Sequence, residues 1–151
     1  MARIRSIKPE FWSSESITCL PRDTRLAYIG LWCVADDEGR FRAQIGVLAG
    51  QLFPEDDDGR EVVERALAEL SGALSEDSVS PQSQPMVELY IGPDGHHYGQ
   101  ITAWARHQRI NRPTPSSIPS PNDPGSRPDK LIRESSVRTH CGKGREGILI
   151  K

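Results

Sequence analysis

Three stretches of this chain carry helical hydrophobic spacing and two carry the character of strands. From Pro21 to about Asp36, PRDTRLAYIGLWCVAD is apolar nearly all round, with Leu26, Ile29, Leu31, Trp32, Cys33 and Val34. A helix with so little polar surface belongs in the middle of a domain, covered on several sides. Pro21 suits a first helical turn, and Asp23 is placed to cap a start two residues later. Gly39 in DDEGR stops this helix, and Arg40-Phe41-Arg42 reads as a very short extended segment. AQIGVLAGQLF follows as a second helix, because Ile45, Leu48 and Leu52 recur at three- and four-residue spacing. Pro54 and the acidic run EDDDG punctuate it. REVVERALAELSG is the third, with Val63, Ala66, Leu67 and Leu70 on one face and Asp58 as its cap.

Residues 75–85 are a polar loop. MVELYI and HHYGQITAW then read as strands joined by GPDG, where Pro presets the turn entry and Gly takes the positive φ. The spacing predicts helices near 22–36, 43–53 and 59–72 and a hairpin near 87–91 and 97–104, with Trp32, Leu48, Leu67 and Ile101 in one core. Helix, tiny strand, helix, helix, hairpin is the order of a winged helix. The expected fold is therefore α+β: a three-helix, helix-turn-helix core closed by a β-hairpin wing, spanning residues 1–112. That is enough chain to bury a core.

Beyond Arg112 the composition changes. Prolines stand at 113, 115, 119, 121, 124 and 128, among Ser, Asn and Gly. Such a segment buries too little apolar surface to offset its ordering entropy, so residues 113–151 are expected to form a flexible, disordered tail.

Charge follows the same division. Residues 1–115 carry twelve Lys/Arg against seventeen Asp/Glu, a net of −5, whereas residues 116–151 carry seven against four, a net of +3. A claim of nucleic-acid binding must therefore rest on local clusters. Three cysteines, Cys19, Cys33 and Cys141, lie far apart without CxxC spacing, which argues against a disulfide framework or a zinc site. The chain has no apolar run of membrane-spanning length, and MARIRSIKPEFW lacks the apolar region of a secretory signal. A soluble, cytoplasmic protein is the expectation.

Catalytic and cofactor chemistry finds little support. No GxSxG, HExxH or phosphate-binding glycine loop is present. The acid runs DDE and EDDD read as solvated helix caps with no base beside them. His96 and His97, as neighbours on a strand, diverge to opposite faces and cannot share a metal ion. Three basic clusters remain as candidate DNA contacts: an N-terminal arm of Arg3, Arg5 and Lys8; Arg40 and Arg42 around Phe41; and Arg106, His107, Arg109 and Arg112 after the last strand. The arginine fork suits phosphate, and a flexible arm plus a basic rim can neutralise several phosphates. Arg60 and Arg65 on the third helix are weaker candidates, because Glu61, Glu64 and Glu69 outnumber them and repel phosphate.

The segments MARIRSIKPEFWSSESI, TRLAYIGLWCVADDEGRFRA, FPEDD and QITAWARHQRINRPTPSSIPSP occur in that order. Together they resemble phage and prophage replication proteins: initiator or helicase-loader-like proteins with an N-terminal winged-helix domain, some of them DnaD-related. The resemblance covers residues 1 to about 121. It implies a module that binds DNA, duplex by expectation, at a phage origin in the bacterial cytoplasm. It also implies a flexible linker to a C-terminal part that engages host or phage replication proteins. Two features depart from it: the tail is short, which puts loader activity in doubt, and the 75–85 loop is long. Two other readings stay open: a small phage transcriptional or excision regulator on the same fold, and a protein–protein adaptor whose acidic third helix binds a host factor.

Overall fold

The α2 helix, Arg22–Val34, is the element on which the others are assembled in this computed structural model, which describes residues 2–73 and 84–130. A 3₁₀ turn at Pro9–Ser13 and a one-turn helix α1, Glu15–Thr18, precede it. After it come β1 (Arg40–Arg42), α3 (Ile45–Leu52) and α4 (Gly59–Leu70), then β2 (Val87–Ile91), β3 (His97–Ile101), the short α5 (Trp104–His107) and β4 (Arg127–Pro128). The architecture is α+β. Among the described residues, five helices accompany one antiparallel sheet of order β1-β3-β2-β4. Most of the 75–85 loop lies outside the described residues.

The helices end earlier than the pattern predicts. Ala35 already has extended backbone, with φ −61° and ψ 147°, so α2 stops two residues before Asp36. Pro21 occupies the cap position, and Asp23 lies in the first turn without capping through its side chain. Asp58 does sit at the cap of α4, again with no side-chain cap bond. Nor is α2 covered all round: Ala27, Tyr28, Leu31 and Trp32 are buried, whereas Leu26 is 58% exposed. Its buried face packs on α4, where the Thr24 hydroxyl donates to the Glu69 carboxylate. Gly30 lets α3 approach closely, because a Cβ there would come within 2.6 Å of the Leu52 side chain. Trp32, Leu48, Leu67 and Ile101 do share one core.

The hairpin turns where the chain chemistry predicts. Gly95 takes φ +82°, and the Asp94 carboxylate accepts from the His96 N–H and the Tyr98 hydroxyl. These bonds, Tyr98 first and His96 second, hold the Asp94 carboxyl below the usual range. Strand β3 stops at Ile101 instead of running to 104. Ala103 adopts φ +52°, and the chain turns into α5 so that Trp104 can fold back over Gly39. In register, Phe41 faces Gly99, which faces Leu89 on the other side. The Phe41 ring occupies the space a Cβ on Gly99 would need.

The expectation of a flexible tail from residue 113 onward needs correction for its first part. Residues 113–130 run across the sheet. The Tyr90 hydroxyl donates to Pro119 O at 2.6 Å, Arg40 donates to Ile118 O at 3.1 Å, and β4 pairs with β2 through Tyr90↔Pro128 and Ile91↔Arg127. The buried Asp129 carboxylate receives His97 Nδ1 at 2.5 Å. Apolar burial was too narrow a criterion for this segment. Prolines lack an N–H but keep a carbonyl, so a proline-rich strand can satisfy donors on a sheet while needing few donors satisfied in return. Residues 131–151 lie outside the described residues.

The Gly99→Ala variant is expected to be less stable by about 1–3 kcal/mol, the usual cost of overpacking a core. A lowered urea midpoint would show it, and adding Phe41→Leu should recover part of the loss by vacating the contested space.

Candidate nucleic-acid interface

The basic positions sort into those consumed by the fold and those turned outward, and the sorting begins at Asp36 and Asp37. Asp36 Oδ1 accepts the N–H groups of Glu38 and Arg40, at 2.9 and 3.0 Å, and its other oxygen receives the Ser116 hydroxyl. Asp37 pairs with Arg3, lies 3.6 Å from Arg5, and takes the Thr114 N–H at 2.9 Å. Its backbone carbonyl receives the Trp104 indole N–H at 2.9 Å. The Thr114 N–H, and next to it the Arg3 guanidinium, hold the Asp37 carboxyl below the ordinary carboxylate range. These acids are thus not solvated caps: two cations and two strand-like segments converge on them.

The N-terminal arm is correspondingly not a flexible one. Arg3 N–H donates to Cys33 O at 2.8 Å, and Ser6 exchanges two hydrogen bonds with the Gln108 side chain. Arg5, its side chain 6% exposed, donates to Trp32 O, Ala35 O and Asp36 O and lies 5.1 Å over the Trp104 ring. A guanidinium so enclosed has no fork left for phosphate, so Arg5 is withdrawn from the candidate contacts. Arg3 is half-committed through Asp37. Lys8 is exposed, with Nζ donating to Arg106 O at 2.6 Å, so the arm's last cation joins the rim after β3.

Arg40 is spent on Gln100, Glu38 and Ile118 O, whereas Arg42, two residues along β1, is exposed. On α4, Arg65 pairs with Glu69 four residues on, as helix spacing allows, and Arg60 lies with Nη1 over Gly46 at the start of α3. Arg106, Arg109 and Arg112 are exposed and form no ion pair with any described residue. His107 is half-buried beneath them against Tyr28 and Trp32. Burial, then Lys8, then Arg106 lower its pKa, which keeps the imidazole neutral at physiological pH. Sequence reading missed Asp36, Asp37, Gln108 and the 60%-exposed Trp12. The motif WARHQ contains Gln108, and only its distance from Ser6 in the chain hid the pairing.

Among the described residues, no His/Cys/Asp/Glu cluster could hold a metal ion, and no helix is long and apolar enough to cross a membrane. Cys19 and Cys33 carry free thiols. No protein-family model matches this chain, and neither does any curated protein or solved structure.

Two outcomes follow from the corner. Arg5→Ala strands several backbone carbonyls and a carboxylate, and it should cost about 3 kcal/mol in chemical denaturation. Arg5→Lys should not restore it, because an ammonium cannot reproduce the planar fork. The second outcome concerns acid. Since the folded pKa of Asp37 lies below the unfolded value of about 3.9, its contribution is complete above that pH and is lost as pH falls through the folded value. Circular dichroism against pH should show a steep unfolding limb below about pH 4. Asp37→Asn should make that limb shallower while lowering stability at pH 7, with Asp94 supplying what slope is left.

Proposed function

We propose that this chain is a DNA-binding module of the winged-helix type serving phage-type replication, and that it grips duplex DNA by its backbone at an origin. The observation that carries the reading is the exposed basic run Arg106, Arg109 and Arg112 after β3, to which Lys8 is joined through the Arg106 carbonyl. These four side chains are exposed and have no carboxylate partner among the described residues, whereas Arg3, Arg5, Arg40 and Arg65 are engaged within the fold. The order α2, β1, α3, α4, β2, β3, with β1 beside β3, also supports it, because that is how a winged helix closes its small sheet. Replication is the context implied by the resemblance of residues 1 to about 121 to phage replication proteins. A rim of separate point charges neutralises phosphates without reading bases.

A second reading, an adaptor for another protein, is favoured by one feature. Glu55, Asp56, Asp57 and Asp58 are all exposed at the start of α4, where the recognition helix of a winged helix would begin. Phosphates would be repelled there and a basic partner attracted.

Mobility shifts at two salt concentrations separate the two. Arg106→Ala/Arg109→Ala/Arg112→Ala should weaken binding to all duplex sequences by similar factors. It should also reduce the salt slope by about one unit per lost phosphate contact. Arg60→Ala/Arg65→Ala should have the smaller effect, since Arg65 is engaged with Glu69. Dominance of Arg60 and Arg65, with loss of sequence preference, would instead assign base reading to α4. Absence of any shift at low salt would favour the adaptor.

A further inference from the structure

Between the N-terminal segment, α2 and the turn after β3 lies a cleft of about 450 Å³, within the usual range for a small-ligand site. Its walls include the rings of Phe11, Tyr28, Trp32 and His107, and its lining carries two cations, Lys8 and Arg106, against one carboxylate, Glu10. Trp32 is 2% exposed, and its indole forms one wall of the cleft against Tyr28, the ring centroids 5.2 Å apart. Just outside, Trp12 presents a ring 60% exposed, fixed edge-on to Phe11 at a centroid distance of 5.1 Å. An exposed tryptophan packed on Phe11, itself a wall of this cationic cleft, needs a reason in a protein that buries its other two.

We infer that this cleft and Trp12 take up nucleotides of single-stranded nucleic acid, one base stacking on Trp12 while Lys8 and Arg106 meet the adjoining phosphates. The inference rests on the DNA-binding reading and adds the class of strand. Stacking on an aromatic face tolerates any base, and a cationic groove beside it tracks the backbone. The Gln84 amide in the lining can both donate and accept, and the Glu10 carboxylate can accept from an exocyclic amine, so a base edge finds partners of either kind. A duplex offers no unstacked face to Trp12. The site therefore suits an origin once opened, next to a rim that suits the closed helix.

The test uses the full chain with labelled oligo(dT), a duplex of equal length, and thymidine monophosphate, followed by anisotropy and by tryptophan emission. Oligo(dT) is expected to quench tryptophan emission. Trp12→Ala is expected to weaken single-strand binding about tenfold more than duplex binding, and Trp12→Phe to retain most of the single-strand affinity. Duplex binding that persists while Trp12→Ala leaves single-strand affinity unchanged overturns the inference and leaves the duplex module standing. Thymidine monophosphate binding as tightly as oligo(dT) overturns it in favour of a free-nucleotide site. No binding to either DNA form at low salt overturns both.

Discussion

The turn between α2 and β1 is the constraint on which the remaining structure depends. At that corner the chain must leave a buried helix, reverse direction and enter a sheet within five residues, and its backbone groups must all find partners on the way. Asp36 satisfies two of them with one side-chain oxygen. Gly39 accepts the reversal, with φ +79° and a tryptophan ring lying where a Cβ would be. Asp37 then turns the corner into an anchor, binding the arm by charge, the segment after α5 by the Thr114 N–H, and Trp104 through its carbonyl. The Asp37 carboxylate, so enclosed, would be unfavourable alone. Arg3 and Arg5 compensate it, so removal of either side strands the other, whereas Asp36 is satisfied by N–H groups and the Ser116 hydroxyl.

From that corner follows the unusual condition of the sheet, which is covered on both faces. Val87, Leu89, Ile101 and Phe41 face the helices, and Tyr90 and Tyr98 face the other way. Both tyrosines are nonetheless 2% exposed or less: residues 113–130 cross over Tyr90, and Tyr98 lies against Tyr90 with its hydroxyl on Asp94. Burial pushes the Tyr90 phenol well above its ordinary pKa, so it stays a donor to Pro119 O at any pH the protein meets. The proline-rich segment behaves as part of the domain as far as Lys130, fixed by carbonyl acceptors and one His97–Asp129 contact in place of an apolar core.

Periodicity made much of this legible. The three main helices, the hairpin and its Gly95 were readable because each is dictated by local chemistry: apolar spacing for the helices, Pro-Asp-Gly for the turn. Strand β2 was readable too, although its burial departs from strict alternation. What sequence could not show was the pairing of groups distant in the chain. Arg5 and the Asp36 carbonyl, Ser6 and Gln108, Asp37 and Thr114 meet only after the fold has closed. Arginine in a run of alternating cations looks the same whether it faces solvent or a carbonyl cage. For the same reason the basic positions could be proposed as a set, but not divided into structural and available members.

That division bears on how a protein with a net −5 over residues 1–115 could hold a polyanion at all. Charges paired within the fold contribute little to the field outside, since each cation is cancelled within a few ångströms by its own carboxylate. Arg3, Arg40 and Arg65 each carry such a partner, and Arg5 is enclosed, so these four add little to any attraction. Of the unpaired positive charge that is left, Lys8, Arg106, Arg109 and Arg112 belong to the arm, α5 and the following loop, while the exposed acids at 55–58 lie at the start of α4. Segregation of this kind produces an oriented field even when the total is negative. On the proposed reading, a polyanion would be turned toward the rim before contact, and raising the salt would weaken that steering. The acidic stretch, for its part, disfavours the alternative docking in which α4 leads.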